Sequence, residues 1–142
     1  MSFRGQKVFI TGAGGFIASH LLERLAALGA KITAFVRYNS RNDFGLIEYL
    51  PIGIRNKLDI VAGDIRDYNA VYNAMKGADI TFHLAALIAI PYSYVHPKEV
   101  IETNVMGTFN VLEAARSLKV KKVVHTSTSE VYGSAITVPI SE

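Results

Sequence analysis

No cysteine occurs among the 142 residues, so disulfide scaffolding and thiolate metal sites are both excluded, and no metal site is expected. That absence is compatible with a cytoplasmic protein. Charge is also sparse: 19% of residues are charged, and 15 Lys and Arg against 12 Asp and Glu leave a net charge of +3. The basic residues Arg4, Lys7, Arg24, Lys31 and Arg37 are scattered, with one adjacent pair at Lys121 and Lys122. Such a pattern gives no footprint for nucleic acid or for a membrane surface. Long hydrophobic runs are missing too, because the most apolar stretch, Ile80 to Val95, is broken by His83, Pro91 and Ser93 and is too short to span a bilayer. Met1 to Lys7 leads into a glycine-rich segment rather than an apolar one, so no targeting signal is expected.

What is present is apolar: half of the residues are hydrophobic, the composition of one domain folded around a core. Val8 to Thr11 reads as a short strand ending at Gly12, after which the apolar period changes from two to about 3.6. Ile17, Leu21, Leu25 and Leu28 then predict one face of a helix over Phe16 to Leu28, closed by Gly29. Ile32 to Val36 is the next strand. The same grammar repeats through a strand at Leu58 to Val61, a helix at Tyr68 to Met75 and a strand at Asp79 to Leu84. A single long helix from Lys98 to Leu118 then delivers a fifth strand at Lys122 to Thr126. Between Arg37 and Asn56 the pattern lapses into a polar loop with at most a short helix. Strands alternating with helices imply an α/β, doubly wound parallel sheet covered on both faces.

Thr11-Gly12-Ala13-Gly14-Gly15-Phe16-Ile17-Ala18 lies between the first strand and the first helix. Glycine permits the tight turn and the close backbone approach that bring a phosphate onto a helix N-terminus. The segment resembles the TGxxGxxA form found in the extended short-chain dehydrogenase/reductases, a Rossmann-fold family acting on nucleotide sugars. The resemblance continues through Gly63 to Asp67, His83 to Ala86, Asn104 to Thr108 and Thr126 to Gly133. It implies that Gly12, Gly15, Phe16 and Ile17 meet the pyrophosphate of NAD or NADP, and that Asp64 and Ile65 contact the adenine. Leu84, Ala85 and Ala86 would line the ribose and nicotinamide side, with Asn104 and Thr126 close by. His83 reads as a satisfied core histidine at a strand end. At the end of the second strand an acidic residue would suit NAD; this chain has Arg37 there and Arg41 nearby, which favours NADP.

In that family the end of the fifth strand carries a Ser or Thr that hydrogen-bonds the sugar 4-oxygen, and the match falls on Thr128. Ser129 and Glu130 resemble the acid-bearing version found in nucleotide-sugar 4,6-dehydratases, where the Glu takes the C5 proton. UDP-glucuronate decarboxylases share a similar Thr-Ser-Glu segment, whereas 4-epimerases lack the acid. Ile88 to Tyr94 together with Tyr38 to Gly45 most resemble dehydratases of legionaminic-type acetamido-sugar pathways. The family's reactive Tyr, followed by xxxLys, has no counterpart between Ser134 and Glu142. The expectation is therefore the N-terminal, cofactor-binding part of a longer enzyme that is a homodimer and takes a nucleotide-sugar substrate. A dinucleotide-sensing module without catalysis is the non-enzymatic alternative.

Overall fold

The computed structural model describes residues 3–140, so both ends of the domain expected over residues 1–142 lie outside the described residues. Five strands, β1 Lys7–Thr11, β2 Lys31–Arg37, β3 Leu58–Gly63, β4 Ile80–His83 and β5 Lys122–His125, form one parallel sheet. Their order is β3-β2-β1-β4-β5, that of the doubly wound Rossmann sheet. The helices are α1 Phe16–Ala27, α2 Ile52–Arg55, α3 Tyr68–Met75, α4 Ile90–Val95, α5 Pro97–Ile101 and α6 Gly107–Ser117. Among the described residues no helix is long and apolar enough to cross a membrane.

Alternation along the strands builds a core on each face. On β1, Val8 and Ile10 pack with Leu22 and Leu25 of α1, while Phe9 between them packs with Val71 and Met75 of α3 and Val111 of α6. β2 repeats the pattern, Ile32, Ala34 and Val36 facing α1 and Phe35 facing the other way. Burying both faces turns the strands into nearly unbroken apolar runs. Each fully buried side chain such as Phe9 or Leu22 contributes roughly 1.5–3 kcal/mol relative to exposure.

α1 ends as its sequence predicts: Gly29 adopts φ 80°, its N–H donates to Ala26 O, and the Ala30 N–H reaches back to Leu25 O. Its inward face is differently set from the expected one. Ala18, Leu22 and Leu25 are buried, whereas Ile17 is 64% exposed. The first turn is split, with Ala18 and Ser19 buried while Phe16 and Ile17 stay exposed.

The helix expected over Lys98 to Leu118 is two helices, α5 and α6, joined by a π turn at Glu102–Met106 in which the Gly107 N–H donates to Glu102 O. In the stretch between Arg37 and Asn56, a 3₁₀ turn at Gly45–Tyr49 buries Ile47, and α2 follows it.

Thr81 of β4 is fully buried, and its hydroxyl has no hydrogen-bond partner among the described residues. An unmet buried hydroxyl costs stability, so Thr81→Val, which keeps the shape, should stabilise the fold by about 1 kcal/mol. Urea unfolding should show a higher midpoint with an unchanged slope. A lower midpoint would mean that the hydroxyl is satisfied in the folded state.

Candidate functional site

The sheet order reverses between β1 and β4, and at the carboxyl ends of the strands a cleft of about 1030 Å³ opens there. Gly12 makes the turn out of β1 with φ 67°, and a Cβ on it would lie 2.8 Å from the Ala85 amide nitrogen. The β1 turn and the strand exit at Leu84-Ala85 can therefore touch backbone to backbone. Gly15 is the N-cap of α1 and supplies no side-chain cap, so the first amides of that helix are left for whatever enters. Gly12, Gly15, Phe16 and Ile17 all border the cleft, which also explains the exposure of Ile17.

One hydrogen-bond chain holds the floor together. The Thr11 hydroxyl oxygen accepts from the amides of Leu84 and Ala85, each at 3.2 Å. Its own proton must then go to His83 Nδ1, 2.7 Å away. That fixes the histidine as the Nε2–H tautomer, which donates to Thr108 Oγ1 at 2.9 Å, and Thr108 donates onward to the Asn104 carbonyl at 2.6 Å. Burial, and secondarily His125 stacked on its ring at 5.2 Å, pushes the His83 pKa down to about 4. His83 is thus the satisfied core histidine expected. Asn104 spends its side-chain amide on Leu87, accepting from its N–H at 2.8 Å and donating to its carbonyl at 2.9 Å. It shapes the wall continuing Leu84, Ala85 and Ala86.

At the β2–β3 edge, Arg37, Asp64, Ile65 and Arg66 line the cleft. Asp64 does not cap α3, since Asp67 does so by accepting from the Asn69 and Ala70 amides. Instead Asp64 takes a two-pronged ion pair from Arg66, with Nη2 at 2.6 Å and Nε at 3.0 Å. The hydrogen bond from Arg66 holds the Asp64 carboxyl below the usual carboxylate range. Arg37 Nη2 donates to Glu99 Oε1 at 3.2 Å, and the Tyr92 hydroxyl donates to the other oxygen of the same carboxylate. The hydrogen bond from that phenol, and then Arg37, hold the Glu99 carboxyl below its usual range.

Arg41 does not border the cleft: its guanidinium pairs at 3.0 Å with Asp43, which does, and its side chain is mostly exposed. Neither arginine proposed to meet a 2′-phosphate is a free cation here. The missed participants are Tyr92, Glu99 and Glu102, the last 3.8 Å from Arg66. Glu99 lies 62 positions beyond Arg37, so no local spacing could have signalled it.

At the other end of the cleft the Thr126 N–H extends the sheet by donating to His83 O at 3.2 Å. Thr126, Thr128 and Glu130 line the cleft. Ser129, where the 3₁₀ turn Ser129–Tyr132 begins, does not. Thr128 caps that turn, accepting from the Glu130 amide at 3.4 Å. The cleft thus runs from ion pairs, past helix amides suited to an anion, along an apolar wall, to a hydroxyl and a carboxylate.

Residues 9–142 match the family model described as GDP-mannose 4,6 dehydratase. The chain is 38% identical over 140 residues to a UDP-N-acetyl-alpha-D-glucosaminuronate decarboxylase of Bacillus cytotoxicus, covering 96% of this chain and 40% of that protein. Among solved structures it superposes with TM-score 0.84 on a UDP-N-acetylglucosamine 4-epimerase from Methanobrevibacter ruminantium in complex with UDP-N-acetylmuramic acid, at 30% identity over 98% of this chain and 43% of that one. A Bordetella bronchiseptica enzyme, WbmH, in complex with NAD+ superposes with TM-score 0.76 at 31% identity, over 92% of this chain and 41% of that one. The chain spans about 40% of the length of the curated relative.

Because the folded state keeps His83 neutral down to about pH 4, the unfolded chain takes up this proton first as pH falls below 6.5. Stability should decline between about pH 6.5 and about pH 4 by up to about 3 kcal/mol from this group alone. His83→Gln should flatten that part of the curve, read as urea midpoints at pH 7 and pH 4.5. Identical slopes for both proteins would show that His83 is not the group refusing the proton.

Proposed function

The chain belongs to the extended short-chain dehydrogenase/reductase family, in its nucleotide-sugar epimerase, dehydratase and decarboxylase branch, and from that premise we propose that it is the cofactor-binding part of a cytoplasmic nucleotide-sugar 4,6-dehydratase. The observation carrying this reading is that Thr128 and Glu130 border the same cleft as the uncapped start of α1. The residues present fit a nicotinamide dinucleotide. Gly12 leaves the room a Cβ would fill, Gly15 caps α1 without a side chain in the way, and Phe16 and Ile17 offer first-turn amides to a pyrophosphate. Asp64, Ile65, Leu84, Ala85, Ala86 and Thr126 all line the cleft, which supports the first two as adenine contacts and the others as the nicotinamide side.

When bound, the nicotinamide supplies a hydride acceptor for C4 and later a donor for C6. The chain's own residues do the rest. Thr128 Oγ1 holds the C4 oxygen, and Glu130 takes the C5 proton, which a carbonyl at C4 has made acidic. The C6 hydroxyl then leaves as water, with the proton that Glu130 took from C5 delivered to the departing oxygen as the C5–C6 double bond forms. The similarity to the B. cytotoxicus decarboxylase favours a second reading, in which carbon dioxide leaves C5 and Glu130 serves the sugar differently. The legionaminic-type resemblance goes with the first. A homodimer is supported by Ile101, Val105, Phe109 and Leu112, exposed at helical spacing on one side of α5 and α6.

Two tests separate the parts of this proposal. Gly15→Val places branched carbons where only Gly12 O is near, at 3.2 Å from the Cβ, so the fold should survive while dinucleotide binding is lost by calorimetry. Binding at wild-type strength would remove the pyrophosphate assignment. In the full-length protein, Glu130→Gln keeps the shape without the basicity, and formation of 4-keto-6-deoxy sugar should fall about a hundredfold or more. Solvent deuterium should also stop entering C5. Normal turnover of the variant, with release of carbon dioxide or C4 inversion from a matching sugar, would move the decarboxylase or epimerase reading ahead.

A further inference from the structure

In dinucleotide folds the 2′ position of the adenosine ribose is read at the end of the second strand, by a carboxylate for two free hydroxyls or by an arginine for a phosphate. The last residue of β2 here is Arg37, and by itself it would welcome a phosphate. It does not stand by itself. Glu99, from α5, reaches across to its guanidinium at 3.2 Å, and the Tyr92 hydroxyl of α4 anchors the second carboxylate oxygen. A carboxylate that the end of β2 lacks is thus set against the Arg37 guanidinium from a distant helix.

The surroundings reinforce it. Arg66 is taken by Asp64 at 2.6 Å and flanked by Glu102 at 3.8 Å, and Arg41 is taken by Asp43. The three arginines at this edge each already face a carboxylate, so an incoming phosphate would have to displace one and stay beside it. Arg37 and Glu99 are too exposed, at 64% and 26% of their side chains, for the pair to matter much to folding. Its consequence lies in what it does to the guanidinium.

We propose that Glu99 is the residue that sets cofactor selectivity, holding Arg37 neutralised so that a ribose with two free hydroxyls is accepted over one bearing a 2′-phosphate. The inference rests on the dinucleotide reading above and reverses the preference that Arg37 suggests on its own. Tyr92 is a positioning residue that acts through Glu99.

The test is titration calorimetry of NAD and NADP, separately, on the full-length protein. Wild type should bind NAD more tightly. Glu99→Gln frees the guanidinium while keeping the side chain's size, and should shift the ratio of the two dissociation constants toward NADP by about tenfold or more. Glu99→Ala should shift it the same way, and adding Arg37→Ala to Glu99→Gln should abolish the shift. A ratio within twofold of wild type in both single variants would overturn the role of Glu99, as would a shift that survives the loss of Arg37. Failure of wild type to bind either dinucleotide would instead defeat the underlying reading, and this inference with it.

Discussion

The hydroxyl of Thr11 is the joint on which the site depends. β1 and β4 are neighbours in the sheet, but the chain leaves them toward opposite faces, and the backbone amides of Leu84 and Ala85 lose their ladder partners where that happens. Thr11 Oγ1 accepts both and donates its own hydrogen bond to His83 Nδ1. An opened crevice would otherwise begin with two orphaned donors in a buried place. The same bonds press the strand exit against Gly12, so the glycine turn and the apolar wall of the cleft are parts of one unit. Through Thr108 the chain reaches Asn104, which fixes Leu87 in turn.

Charge is distributed unevenly along this cleft. At the β2–β3 edge Arg37 and Arg66 are each matched by a carboxylate, Glu99 and Asp64, and both carboxyls are held below their usual range. In the middle the walls are alanines and leucine, and the positive contribution comes from the start of α1 rather than from a side chain. At the β5 end Glu130 faces the cleft without an ion pair among the described residues. A paired edge discriminates by what it excludes, while an unpaired carboxylate is free to exchange a proton.

The sequence made the strands and the glycine turn legible because both are local: alternation, period and turn residues lie within a dozen positions of one another. The residue type at the end of β2 was also legible, but its ion-pair partner was not. Arg37 reads as a phosphate ligand until Glu99, 62 positions away, is seen against it. Arg41 lies close to Arg37 in sequence, but its pairing with Asp43, two positions on, leaves the carboxylate and not the guanidinium bordering the cleft. Ile17 fitted the apolar period of α1, yet periodicity cannot tell a core from a ligand cleft when both want apolar carbon. Reading His83 as a core histidine needed no distant information, because hydroxyl-bearing strand and helix residues supply its two partners.

The π turn between α5 and α6 was invisible to periodicity because it changes the phase of one helix by a single residue. Glu102 and Asn110 are eight positions apart, which in an unbroken α-helix would put them about 80° apart around the axis. Yet both address the same segment, Glu102 at the Arg66 guanidinium and Asn110 donating to the Ile65 and Arg66 carbonyls at 3.1 and 2.9 Å. Looping out one residue leaves seven effective steps and brings the two within about 20°. Gly107 follows at once, where a Cβ would lie 2.8 Å from the Ile65 side chain, so α6 can seat against the exit of β3. The turn therefore lets a single helical segment place carboxylates over the ends of β2 and β3 while keeping its next residues packed on the sheet. A regular helix with the same sequence would give up either Glu102 or Asn110, and with it the alignment that holds Arg66.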